Sequence, residues 1–243
     1  MSRRSIGILT AATAGIACAA LIGGPAFADT ATPTPSPSAS HAPRTLAQLQ
    51  AAGAKATSDR ETKLSAAITK ITADTSLTAS DKTKILATLN ADLAAMKSSA
   101  SAIAADTTTT QAAADLTKVH DAYRVYAVAL PQSRLAAAAD RLTGTTLPKL
   151  TKDQKTLAGL LSGKDASKST PALQSDLSDL TTQLATASHD ASGIAAAALA
   201  VTPSTYNSNH SALLLPKSSL TAARAAVKKA QADAKAVREA VRK

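Results

Sequence analysis

From Leu46 almost to its last residue, the chain repeats apolar positions in one rhythm, three residues then four. That spacing sets apolar side chains along one stripe of an α-helix, the seam by which helices pack on helices. A first stretch reads Leu46, Leu49, Gly53, Ala56, Leu64, Ile68, Ile71 and should end near Asp74. Thr78, with Asp81 three residues on and Leu77 before it, marks a new start. The second helix then carries Leu86, Leu89, Leu93, Met96, Ala100 and Ile103. A third reads Leu116, Val119, Tyr123, Tyr126, Leu130. Pro131 cannot donate to the Ala127 carbonyl, so a kink or a fresh helix is expected there.

The pattern resumes through Leu135 and Leu142, weakens at Gly144-Thr145-Thr146, and returns at Leu147, Leu150, Gln154, Leu157 and Leu161. Residues 162–170 read as a polar hinge. Thr170-Pro171 opens the next helix, with Thr as cap and Pro at the first helical position. Its seam predicts one unbroken run over Leu173, Leu177, Leu180, Leu184, Ala187, Ala191, Ile194, Ala198 and Val201, stopped by Pro203. Residues 202–217 read as a loop whose Leu213-Leu214-Leu215 is expected to cover the core. The last helix, within 217–243, carries Leu220, Ala223, Val227, Ala230, Ala234, Val237 and Val241.

Composition supports an all-helical reading. Aromatics are 2% of the 243 residues, there is no Trp, and 59 residues are Ala, which explains most of the 45% hydrophobic share. Such a chain lacks the aromatic and β-branched supply of an all-β fold, and no strand-helix alternation appears. The fold class expected is all-α: an elongated antiparallel helical bundle over 45–243 with coiled-coil-like heptad packing. The spacing does not distinguish packing within one chain from packing on a second copy, so a homo-oligomer stays open.

The first 28 residues have the pattern of an export signal. Arg3 and Arg4 supply a basic start, Ile6 to Ile22 is uncharged and apolar, Pro25 breaks it, and Ala26-Phe27-Ala28 suits cleavage before Asp29. Paired arginines fit either the general or the twin-arginine route. Cys18, the one cysteine, lies inside the signal. Gly15, three positions before it, stands where a lipoprotein carries an aliphatic residue. A cleaved chain holds no thiol for disulfides, nucleophilic catalysis or zinc, and no second apolar span. Residues 29–44 are a Thr/Pro/Ser-rich linker with Pro33, Pro35, Pro37 and Pro43, biased toward extended conformations. The expected location is secreted or envelope-associated.

Charge then separates one segment from the rest. The 27 Lys and Arg, less the two of the signal, face 17 acids and leave +8. Eight basic residues against Asp233 and Glu239 put +6 of that within 217–243. Arg224, Lys228, Lys235, Arg238 and Arg242 share one stripe beside the apolar seam, a candidate surface for teichoic acid, anionic lipid or nucleic acid. The same stripe also reads as an ordinary solvated helix face, and its missing Trp and Phe argue against deep membrane insertion.

Catalytic signals are weak. Of His41, His120, His189 and His210, no two lie three or four residues apart, so no helical pair can grip a metal. Glu occurs only at Glu61 and Glu239. Gly159 to Asp165 has phosphate-loop glycines one residue too close, with Asp165 in the hydroxyl position and no strand before it. Tyr123 and Tyr126 suggest a stacking patch, but their place on the apolar seam favours space-filling, with Arg124 pairing to Asp121 one turn back or to an Asp on a neighbouring helix. No catalytic residue, cofactor or metal is assigned.

Several stretches resemble a group of exported, Ala-rich helical proteins of actinobacteria. These are Arg60…Lys63-Leu64 with Ile68 and Ile71, Leu77-Thr78…Asp81-Lys82, and Ile103 through Thr108. Tyr123-Arg124-Val125-Tyr126…Pro131-Gln132, Ala139-Asp140-Arg141 and the Ala-Arg pattern of the last helix continue the likeness. It covers roughly residues 60–141 and 218–241. The resemblance implies export and a helical shape, and brings no activity or functional residues. The expectation is an exported non-enzymatic helical bundle with a structural or interaction role at the envelope, its partner unknown: another envelope protein or a cell-wall polyanion. The alternative is a polyanion-binding module acting through the last helix.

Overall fold

A computed structural model describes residues 43–242; the expected signal and all of the linker but Pro43 and Arg44 lie outside the described residues. The described chain is an all-α bundle. Its helices are α1 (Leu46–Ala73), α2 (Ala79–Ala105), α3 (Thr109–Asp121), α4 (Leu130–Arg141), α5 (Leu147–Ser162), α6 (Pro171–Ala191), α7 (Ile194–Leu199), α8 (Pro203–Ser208) and α9 (Leu214–Arg242). Threonine starts five of them. Thr45, Thr78, Thr108, Thr170 and Thr202 each accept a backbone N–H three residues ahead. Each cap satisfies a donor that the first turn leaves without a partner.

Two cores form, and α4 and α7 pack against both. The first holds Leu64 and Ile71 of α1, Ile85, Leu89, Met96 and Ile103 of α2, and Val119 of α3. Gln50 of α1 reaches the carbonyls of Ala104 and Asp106, and Lys82 reaches those of Thr72 and Asp74, so α1 and α2 are antiparallel. They approach closely at Gly53, where a Cβ would stand 2.6 Å from Ile103 Cγ2. The second core is built from α5, α6 and α9, with Leu180, Ala187 and Ala191 of α6 among Ala223, Val227, Ala230, Ala234 and Val237 of α9. α4 serves both: Leu130 and Ala136 belong to the first core, Ala139 to the second, with Leu142 just past its end.

The connector α4 departs from expectation in part. A new α-helical segment does begin at Leu130, beside Pro131, and another at Leu147, beside Pro148, but neither proline interrupts the run of helical backbone. Each follows a π-helical turn, Val125–Ala129 and Leu142–Thr146, closed by Leu130 N–H to the Val125 carbonyl and Leu147 N–H to the Leu142 carbonyl. The widened turn makes room for a ring that would clash with the carbonyl four residues back. Helical backbone therefore runs from Val125 to Ser162, about 55 Å at about 1.5 Å per residue.

The real breaks fall elsewhere. The third helix ends at Asp121, because Arg124 takes a left-handed backbone conformation, φ +44°. The seam expected to run unbroken from Leu173 to Val201 is cut at Ser192-Gly193, where Gly193 has φ +72°. A left-handed residue ends a helix, and glycine adopts it without a Cβ penalty. The leucine triplet does not cover the core: Leu214 and Leu215 begin α9 and are 58% and 73% exposed. On α2, Ile85 is fully buried where the spacing predicts Leu86, and Leu86 packs at the margin. The 162–170 hinge holds a short 3₁₀ turn, Ala166–Lys168, and Lys168 Nζ donates to the Val241 carbonyl near the end of α9.

Candidate polyanion interface

α9 is amphipathic by construction. Pro216, Leu220, Ala223, Ala226, Val227, Ala230, Ala234, Val237 and Val241 are buried against the second core. At about 100° per residue, Lys217, Arg224, Lys228, Lys235, Arg238 and Arg242 all fall within about 40° of one line on the flank of that buried face. The line is about 38 Å long at about 1.5 Å per residue. All six are exposed except Arg238, which is half-buried.

Ion pairing divides the six. Arg238 Nη2 lies 3.3 Å from Asp153 Oδ2 of α5, and Lys235 lies 3.8 Å from Glu239. Lys217, Arg224, Lys228 and Arg242 have no carboxylate partner among the described residues. The five residues expected to form the stripe are thus brought to one flank, two of them carrying intramolecular partners. Lys229 stands on the other side of the helix and acts on Asp233, whose carboxyl is held above its usual range by burial and by Asp179 and Asp176.

α5 adds cations that the stripe on α9 does not predict. Lys149 lines a groove of about 570 Å³ together with Lys235, Arg238, Gln231 and Asp153, so α5 and α9 present their cations to the same space. Lys149 is exposed. Its joining to α9 is not legible in the sequence, because only the packing of α5 beside α9 brings them together. Lys152 and Lys155, also exposed, line a different groove with Leu184 and Ser188 of α6.

The other polar features lie around the first core. Arg60 is buried at 7% exposure, and Nη1 donates to the Ala56 carbonyl. Nη2 lies 2.8 Å from His120 Nδ1, which must accept, so the His120 ring proton sits on Nε2. Burial and the neighbouring guanidinium hold His120 below its usual pKa. Tyr126 is not on the apolar seam as expected: it is 47% exposed and lies under Arg60, whose Cζ is 5.0 Å from the ring centroid. Tyr123 does pack against the first core. Arg124 pairs with Asp121 at 3.0 Å, as the spacing predicts, and also donates to Asn207 of α8. Asp92, half-buried on α2, has its carboxyl pushed up to about 6 by burial.

No helix among the described residues is long and apolar enough to cross a membrane. No protein-family model, curated protein or solved structure matches the chain.

Proposed function

We propose that this chain is an exported, non-enzymatic helical bundle that acts by surface contact at the cell envelope, and that its contact surface is the basic flank of α9. The observation that carries the reading is the alignment of Lys217, Arg224, Lys228 and Arg242 on one exposed flank, with no acidic partner among the described residues. Unpaired cations along about 38 Å of rigid helix suit a repeating anionic polymer, whose phosphates can be met several at a time. The signal-like first 28 residues support export.

A second reading has its own observation. Leu214 and Leu215 expose apolar surface at the start of α9, which suits contact with another protein. Salt separates the two, since charge pairing with a polyanion weakens as salt rises and apolar contact does not.

Truncation of α9 is the wrong test, because α9 supplies much of the second core. Charge removal at the surface is the right one. The full chain is co-sedimented with teichoic-acid-bearing cell walls across a salt series, beside Lys228→Gln with Arg242→Gln. Every phosphate left without its cation reduces the slope of log affinity against log salt by about 0.7–0.9. The expected result is salt-sensitive pelleting and a slope reduced by about 1.5 in the double variant. Pelleting that ignores both salt and the double variant favours the apolar reading. No pelleting under any condition sinks the polyanion reading.

A further inference from the structure

α1 and α4 run in the same direction along the first core. Arg60 of α1 lies beside Tyr126, just before α4, and Asp74 after α1 pairs with Arg141 at the end of α4, 2.9 Å. Between them an open groove of about 410 Å³ remains. Lys63 and Lys70 form one rim, and Arg134 and Arg141 the other. All four are exposed. Lys63, Lys70 and Arg134 have no carboxylate partner among the described residues, and Asp74, shared with Arg141, is the one acid lining the groove.

The spacing on the two rims is the same. Lys63 to Lys70 and Arg134 to Arg141 are each seven residues, two helical turns, so cations recur about 10 Å apart along both walls. The floor between them is made of small side chains, Ala66, Ala67, Ala137 and Ala138, over the buried Ile71 and Leu130. Alanine lets another backbone come close, whereas a phosphate polymer has no use for an apolar floor. An inserting membrane would need large exposed apolar residues, and Ile71 and Leu130 are 7% and 5% exposed.

We propose that the groove between α1 and α4 is a docking site for an acidic amphipathic helix of a partner protein, with carboxylates every seven residues and small or aliphatic residues between them. The helix completes a three-helix packing over the alanine floor, and its carboxylates meet the cations of both rims. This site is separate from the flank of α9 and does not depend on the polyanion reading.

The probe is a fluorescein-labelled synthetic helix of about three heptads, with Glu in each heptad on both flanks of a stripe of Ala and Leu. Anisotropy follows its binding to the full chain at low salt. Binding is expected. The pair Lys63→Glu with Arg134→Glu should weaken it by at least about tenfold, and a peptide with Lys in place of only the Glu residues that face those two positions should regain affinity for that variant. Reversal on α9, Lys228→Glu with Arg242→Glu, should leave it unchanged. Circular dichroism checks each fold, and Lys70→Gln gives a milder variant should the double reversal unfold the chain. The proposal is overturned by an absence of peptide binding, by no rescue from the swapped peptide, or by loss of binding in the α9 variant. It is overturned equally if phosphatidylglycerol vesicles bind through Lys63 and Arg134 as tightly as the peptide does.

Discussion

The two cores solve the same packing problem with different residues. The first, around α1, α2 and α3, fills its centre with Leu64, Ile85, Leu89, Met96, Ile103 and Val119, each at most 1% exposed. The second joins α6 to α9 through Ala187, Ala191, Ala223, Ala230 and Ala234, with Leu and Val beside them. Large side chains bury more apolar area per residue, at about 0.8 kcal/mol per methylene. Alanines bury less each but bring helix backbones close and lose no rotamer freedom. The first core is therefore sensitive to truncation and the second to enlargement. Polar burial differs too. Arg60, His120 and Asp92 lie around the first core, whereas in the second Asp233 is, among the described residues, the one group shifted clearly from its ordinary pKa.

The sharpest way to break this comparison is a pair of opposite substitutions. Leu89→Ala should cost about 2–5 kcal/mol, from lost transfer energy plus a cavity. Ala230→Leu should cost about 1–3 kcal/mol or more, because the fully buried seam has no space for three further carbons. Denaturant titration of both variants checks it. If Ala230→Leu is neutral, the alanine seam is loosely packed and the contrast fails.

Next in size is the close approach within the first core. Gly53→Ala should destabilise by about 1–3 kcal/mol, since the new Cβ would overlap the buried, β-branched side chain of Ile103 and force it to shift within the core. Pairing it with Ile103→Val should recover part of the loss in a double-mutant cycle.

The titrating groups sharpen the contrast further. Asp92 has a raised carboxyl pKa, about 6 in the fold. The folded state then binds its proton more tightly than the unfolded state. Its ionisation penalty is absent below the ordinary carboxylate range, grows as pH rises, and is complete above about 6. Asp92→Asn should therefore stabilise the chain by about 1–2 kcal/mol at neutral pH, after discount for partial exposure, and by almost nothing below about pH 3. Melting curves of both proteins across that range test it, and a gain that persists in acid would contradict it. His120 works in the opposite direction. Its lowered pKa makes the unfolded state the better proton acceptor, so its penalty appears as pH falls through the ordinary imidazole range. The difference between wild type and Asp92→Asn isolates the carboxylate from it.

Smallest is the tie between α5 and α9. Arg238→Ala should change stability by no more than about 1 kcal/mol, because its pairing with Asp153 is partly solvated. The same substitution frees Asp153 beside Lys149 and Lys235 in the α5–α9 groove. It should lower polyanion binding more than it lowers the melting temperature, as co-sedimentation beside a thermal melt would read.

Sequence periodicity alone determined that the described part of the chain is an all-α bundle, and it placed the starts at Thr78 and Thr170, because capping and the 3.6-residue period act within a few residues. It also placed the five cations of α9 on one flank, since a helix converts spacing directly into direction. Tertiary structure decided what no local rule contains. Left-handed backbone at Arg124 and Gly193 ends helices whose apolar seams run on through those residues. π-helical turns carry the chain past Pro131 and Pro148, where local chemistry argues for a break. The packing of α5 on α9 and of α1 beside α4 assembles cations that lie far apart in sequence, Lys149 with Lys235 and Lys63 with Arg134. A heptad seam records that a helix will pack, and a seam rich in alanine fits many partners nearly equally. Which partner it meets depends on the sum of interactions over the whole fold.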